Sequence, residues 1–167
     1  MLDPFDLNFR HLRALPLIAR HKRMGAAAEA VSLSQPALTQ GLAKIERQLG
    51  VPLFSRELTG MEPTAEGLAL IARIEPALRQ LGEGVRQAGR SPRGFARPDH
   101  LMTATQLRAF LALADAGSYI EAAHVTRWSQ PALHRAVRDL QQLCGALLVE
   151  RRGRGVVLTR DGRRLAR

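Results

Sequence analysis

The sequence predicts a mainly α-helical protein with small β-hairpins, built as two tandem copies of one unit. Three observations carry this. Ser34-Gln35-Pro36-Ala37-Leu38 recurs as Ser129-Gln130-Pro131-Ala132-Leu133, an offset of 95 residues. The same offset aligns, without a gap, Leu12-Arg13-Ala14 with Leu107-Arg108-Ala109, Gly50 with Gly145, Arg56 with Arg151, Thr64 with Thr159 and Gly67 with Gly162. A shared alanine-rich composition would not bring Gly, Pro, Thr and Arg into register as well. Apolar residues also fall at helical spacing within each copy, and a glycine-bearing turn between two short β-prone runs closes each one.

The first helix runs roughly from Asn8 to His21, with Leu12, Leu15 and Ile18 recurring at helical spacing. A short second helix carries Ala27, Ala28 and Val31, whose small side chains permit close packing. Ser34 then caps a third helix with its hydroxyl, and Pro36 sits in the first turn, where a missing N–H costs nothing. Leu38, Leu42, Ile45 and Leu49 form its buried stripe, and Gly50 ends it. Strands over Val51–Arg56 and Met61–Pro63 flank a Leu58-Thr59-Gly60 turn. The second copy repeats the plan, with helices over Thr105–Ala116, Ile120–Val125 and Gln130–Leu143. Its strands are Leu147–Arg151 and Val156–Leu158, around Gly153-Arg154-Gly155.

Between the copies, Thr64 caps a longer helix over residues 64–88. Ile71, Ile74, Leu78, Leu81 and Val85 recur there at alternating spacings of three and four, a coiled-coil seam. Pro76 inside it should kink or split the helix. Residues 89–103 read as a flexible linker. The expected domains are therefore 1–63, the linker helix 64–88, the linker 89–103, a second unit 104–158 and the start of a second linker helix, 159–167. That helix looks truncated at Arg167.

Composition narrows the partner. Lys plus Arg number 25 against 15 Asp plus Glu, a net charge of +10, which favours a polyanion. Only 4% of residues are aromatic, too few for a stacking platform for single-stranded nucleic acid. The single cysteine, Cys144, excludes an intrachain disulfide framework. The five histidines show no metal spacing, and neither a phosphate-binding glycine loop nor a nucleophile–base pair is evident. No enzyme activity, metal or cofactor is expected. The chain holds no apolar run of membrane-spanning length and no secretory start, so a cytoplasmic protein without membrane partners is expected.

Leu12-Arg13, Ala27-Ala28, Ser34-Gln35-Pro36-Ala37-Leu38-Thr39, Ile45-Glu46, Leu49-Gly50, Leu53-Phe54, Arg56 and Thr64-Ala65-Glu66-Gly67 together resemble the DNA-binding domain of the bacterial LysR-type transcriptional regulators. The resemblance covers residues from about 8 to 88, and residues 104–167 look like a second, more divergent copy. It implies a winged helix-turn-helix with a linker helix that pairs in a dimer, here as two tandem winged helix-turn-helix domains. It also implies an effector-binding domain beyond the linker helix, for which this sequence holds no counterpart. The second copy departs at Thr126 for Val31, Trp128 for Leu33, Gln141 for Glu46 and Val149 for Phe54.

The expected partner is double-stranded DNA, read as a sequence-specific transcriptional regulator would read it. A recognition helix puts its N-terminal side chains against base edges in the major groove. That selects Ser34, Gln35, Pro36, Thr39, Gln40 and Lys44 in the first unit. In the second it selects Ser129, Gln130, Pro131, His134, Arg135 and Arg138. Glutamine can donate and accept in one bidentate pair with adenine. Arg56 in one hairpin and Arg151, Arg152 and Arg154 in the other suit phosphate or the minor groove. The seam Ile71, Ile74, Leu78, Leu81 and Val85 is read as the dimerisation surface, either of a homodimer or through intrachain pairing. A second reading makes residues 104–167 a degenerate protein-interaction or dimerisation module beside one DNA-binding unit.

Overall fold

The computed structural model describes residues 6–88 and 98–166. The chain forms two compact units, residues 1–79 and 80–167. In the first, α1 (Phe9–His21), α2 (Met24–Ala30) and α3 (Gln35–Leu49) precede the antiparallel pair β1 (Phe54–Glu57) and β2 (Gly60–Pro63). Next comes α4 (Ala65–Ala88), within which the division between the units falls. The second unit repeats the order: α5 (Ala104–Ala116), α6 (Tyr119–Thr126), α7 (Gln130–Cys144), β3 (Val149–Arg152), β4 (Gly155–Leu158) and the start of a further helix, α8 (Arg160–Leu165).

Each element starts and stops for a local reason. Asn8 accepts the Arg10 N–H ahead of α1, and the Ser34 hydroxyl accepts the Ala37 N–H at 3.3 Å ahead of α3. Ser129 does the same for Ala132, and Thr103 and Gln106 close a capping box on α5. Gly50 and Gly145 end the third helices at φ 72° and 64°, backbone that a Cβ disfavours.

The first core is Leu12, Leu15, Ile18, Ala27, Ala28, Leu38, Leu42, Ile45 and Leu53, with Phe54 closing it from the hairpin. Leu49, expected in the buried stripe, is 37% exposed. Its counterpart in the second unit, Cys144, is buried. The second core centres on Ala109, Leu113, Ala122, Leu133 and Val137.

The four departures of the second copy are accommodated. The Thr126 hydroxyl, in a position apolar in the first copy, donates to Ala122 O at 2.7 Å. Trp128 packs on the core with the Arg108 guanidinium 5.3 Å over its ring, and Val149 packs there too. Gln141 Oε1 accepts the Leu148 and Val149 N–H groups at 2.8 and 3.2 Å. Glu46 Oε1 holds Leu53 and Phe54 in the same way, at 2.8 and 3.3 Å.

Two expectations about the connection change. Pro76 does not split α4, which is a continuous helix from Ala65 to Ala88. Of the expected flexible linker 89–103, residues 89–97 lie outside the described residues. Residues 98–103 are folded: Pro98–His100 form a 3-10 turn, Asp99 and Met102 are buried, and Thr103 caps α5. Burial of Met102 and the cap on the next helix hold this segment to the second unit.

Candidate nucleic-acid interface

In both units the third helix presents its N-terminal edge to solvent. Ser34, Gln35, Pro36, Thr39, Gln40 and Lys44 are all exposed, as are Ser129, Gln130, Pro131, His134, Arg135 and Arg138. The Ser34 and Ser129 hydroxyls serve as helix caps. The Thr39 hydroxyl donates back to Gln35 O at 2.9 Å, which commits its proton within the helix. The turn before each third helix uses the left-handed region at equivalent positions, Ser32 (φ 55°) and Arg127 (φ 59°).

The hairpin is fastened to the third helix and to the end of the first by the same bonds twice. The Glu46 and Gln141 oxygens hold the strand entrances, as above. Met61 N donates to Lys22 O at 2.9 Å, and its counterpart Val156 N donates to Gly117 O at 2.7 Å. The wings therefore have fixed positions relative to the recognition helices within each unit.

Their electrostatics differ. In the first hairpin Arg56 is exposed beside Glu57, and Glu62 pairs with Lys22 at 2.6 Å. The Lys22 and Thr59 hydrogen bonds hold the Glu62 carboxyl below its usual range. The second hairpin carries exposed Arg151, Arg152 and Arg154 against one acid, Glu150.

Two features of these surfaces were not evident from the sequence. Tyr119, at the start of α6, stacks on His134 with ring centroids 3.5 Å apart and planes 18° from parallel. Burial pushes its phenol up, while the nearby Arg151 charge pulls it down. Tyr119, His134 and Arg151 thus meet where α6, α7 and the wing converge. In the first unit, burial and then the Lys44 charge lower the His11 pKa, which places His11 of α1 close under the recognition helix. Gly41 makes room for that ring: a Cβ there would overlap the imidazole.

The expected seam divides. Ile71 and Ile74 pack against the core of the first unit. Leu78 and Leu81 are half-buried, and Val85 is buried. Of the five, Val85 is buried, and the other four keep part of their surface exposed. Apolar side chains at this spacing serve equally to dock a helix on its own domain, and Ile71 and Ile74 use part of their surface in that way. In the second unit, Arg164 Nη1 donates to Gln87 O at 3.1 Å, and a Cβ on Gly84 would lie 3.6 Å from Leu165 Cδ1. The end of α4 thus lies against α8.

Among the described residues, no group of three or more His, Cys, Asp or Glu could hold a metal ion, and no helix is long and apolar enough to cross a membrane. Burial pushes the Cys144 thiol up to about 11, so it is a core residue and not a nucleophile.

The chain is 42% identical over 83 residues to a small neutral protease regulatory protein of Streptomyces coelicolor, covering 50% of this chain and 25% of that one. It is 30% identical over 164 residues to the HTH-type transcriptional regulator GalR of Pseudomonas putida, covering 96% of this chain and 41% of that one. A crystal structure of a CbnR DBD–DNA complex aligns at 35% identity and a TM-score of 0.42, covering 45% of this chain and 86% of that one. This chain therefore spans less than half the length of either regulator. The family model for the bacterial regulatory helix-turn-helix protein, lysR family, matches residues 9–68 and again 104–163. Both matches coincide with the folded three-helix-and-hairpin units, and the chain belongs to the lysR family of bacterial regulatory helix-turn-helix proteins, with its helix-turn-helix domain present twice.

Proposed function

We propose that this chain is a sequence-specific transcriptional regulator that binds double-stranded DNA through both units, in the cytoplasm, without catalysing a reaction. One observation carries the reading: two folded units each expose a Ser-Gln-Pro helix edge next to an arginine-bearing hairpin. Gln35 and Gln130 read base edges at the N-termini of the recognition helices. Thr39, Gln40, Lys44, His134, Arg135 and Arg138 lie further along the same face. Arg56, Arg151, Arg152 and Arg154 hold phosphates or enter the minor groove. Ser34, Ser129, Pro36 and Pro131 act by setting the helix start.

Intact packing at Thr126, Trp128, Gln141 and Val149 favours this over a degenerate second unit. The seam favours use within the chain: one chain supplies two units, and Val85 is already covered. Light scattering on the protein–duplex complex is expected to give one chain per duplex.

Selection from a random duplex pool at fixed salt tests the function. Enriched sites are expected. Gln35→Ala and Gln130→Ala should each reduce discrimination at one half-site by about 5- to 150-fold, the worth of one bidentate base contact. Binding without enrichment, fading steadily with salt, would instead mark a non-specific phosphate binder.

A further inference from the structure

We infer that the two units read unlike half-sites, so that the operator is an asymmetric composite with an A·T-reading half and a guanine-reading half. This rests on the proposed DNA-binding function and goes beyond it to the base chemistry of the target.

The recognition faces share the Ser-Gln-Pro start and differ in chemistry beyond it. Thr39, Gln40 and Ala43 of α3 correspond to His134, Arg135 and Arg138 of α7. All six are exposed except Ala43, which is half-buried. Glutamine pairs with adenine N6 and N7, and alanine and the threonine methyl pack on the thymine methyl. The Thr39 hydroxyl proton is bonded to Gln35 O, so the side chain offers a base its methyl or an acceptor oxygen, not a donor. Arginine instead donates both bonds to guanine O6 and N7. His134 adds a ring N–H donor, held in plane by its stack on Tyr119. Three successive face positions therefore change in one direction, from adenine- and thymine-compatible groups to donors suited to guanine.

The wings reinforce the difference. Glu57 and Glu62 stand in the first where Arg152 and Val157 stand in the second, and Thr59 where Arg154 stands. The second unit therefore grips phosphate more strongly, and the first relies more on its base contacts. Three positions run the other way: Lys44 corresponds to Asp139, Arg47 to Gln142 and, in the wing, Ser55 to Glu150. Asp139 is half-buried one residue past Arg138, whereas Arg135 and Arg138 share the exposed face.

The test is selection from a random duplex pool with the full chain, followed by selection with the triple variant His134→Thr, Arg135→Gln, Arg138→Ala. The wild-type protein should enrich a site with two unlike halves, one carrying guanine at the positions read. The variant should lose that guanine preference by about 5- to 150-fold for each base pair that an arginine reads, and enrich a site with two like halves. The reciprocal variant, Thr39→His, Gln40→Arg, Ala43→Arg, should introduce guanine into the other half. It keeps the proposal testable if the first variant fails to fold. Wild-type enrichment of two identical halves, or of a single half-site, would overturn the inference and leave DNA recognition standing. Absence of any enrichment would remove the proposed function and the inference with it.

Discussion

Replacing Glu46 isolates the bond that fastens the wing to the recognition helix. Its Oε1 accepts from Leu53 N at 2.8 Å and Phe54 N at 3.3 Å, both part-buried. Glu46→Ala leaves two N–H groups without that acceptor, and each costs about 1–3 kcal/mol when buried. Partial exposure puts the sum near the lower half of that range, about 2–4 kcal/mol. For a unit of this size each kcal/mol shifts Tm by about 4–8 °C, so a fall of at least about 8 °C is expected for the first unit. Glu46→Gln keeps the oxygen. Gln141 makes the same two bonds in the second unit, so this variant should stay within about 1 kcal/mol of the parent, the extra strength of a charged acceptor. Calorimetry on the three proteins reads the result directly. If Ala and Gln cost the same, the carboxyl acts by charge or packing and the hydrogen-bond account is wrong.

Gly67 and Gly162 sit where a Cβ would overlap the backbone oxygens of Leu53 and Leu148. Gly67→Ala or Gly162→Ala should therefore destabilise its unit by about 1–2 kcal/mol, since overpacking outweighs alanine's helix preference of about 1 kcal/mol; a stabilised variant in thermal melts would refute the close approach. His11 has a folded pKa below its ordinary value, so the unfolded chain binds its proton first. The stability it contributes is present above about pH 6.5 and is lost as pH falls from there toward the lowered folded value. His11→Gln, which copies Gln106 of the second unit, should flatten that part of the first unit's stability profile, and an unchanged profile in denaturant titrations would assign the pH dependence elsewhere. Joint replacement of Arg151, Arg152 and Arg154 by Ala should lower the salt-dependence slope of duplex binding by up to about 2.7, against about 0.9 for Arg56→Ala. Equal losses would show that the two wings share the phosphate load evenly.

Much of the unit was legible because its signals are local. A serine or threonine cap, a proline in the first turn, a helical apolar period and a terminal glycine act within a few residues, and the 95-residue repeat showed each of them twice. The helix order, the strand pairs and the exposed Ser-Gln-Pro edge follow from such signals. The local pattern could not say what covers an apolar stripe. Ile71, Ile74 and Val85 suit a partner helix and their own domain equally, and only the fold places the first two on the helix-turn-helix core and buries the third. Leu49 makes the same point, since its period matches the stripe yet it is 37% exposed while Cys144 at the equivalent position is buried. Side-chain bonds across elements were equally hidden. Only the fold shows that the Gln141 oxygen holds the same two amides as Glu46, and nothing in one dimension brings Tyr119 onto His134. Local signals in the chain set the repeated helices, their caps and the residue types on each recognition face. Which apolar faces are covered and which polar atoms are paired came from the fold, because both depend on segments far apart in the chain.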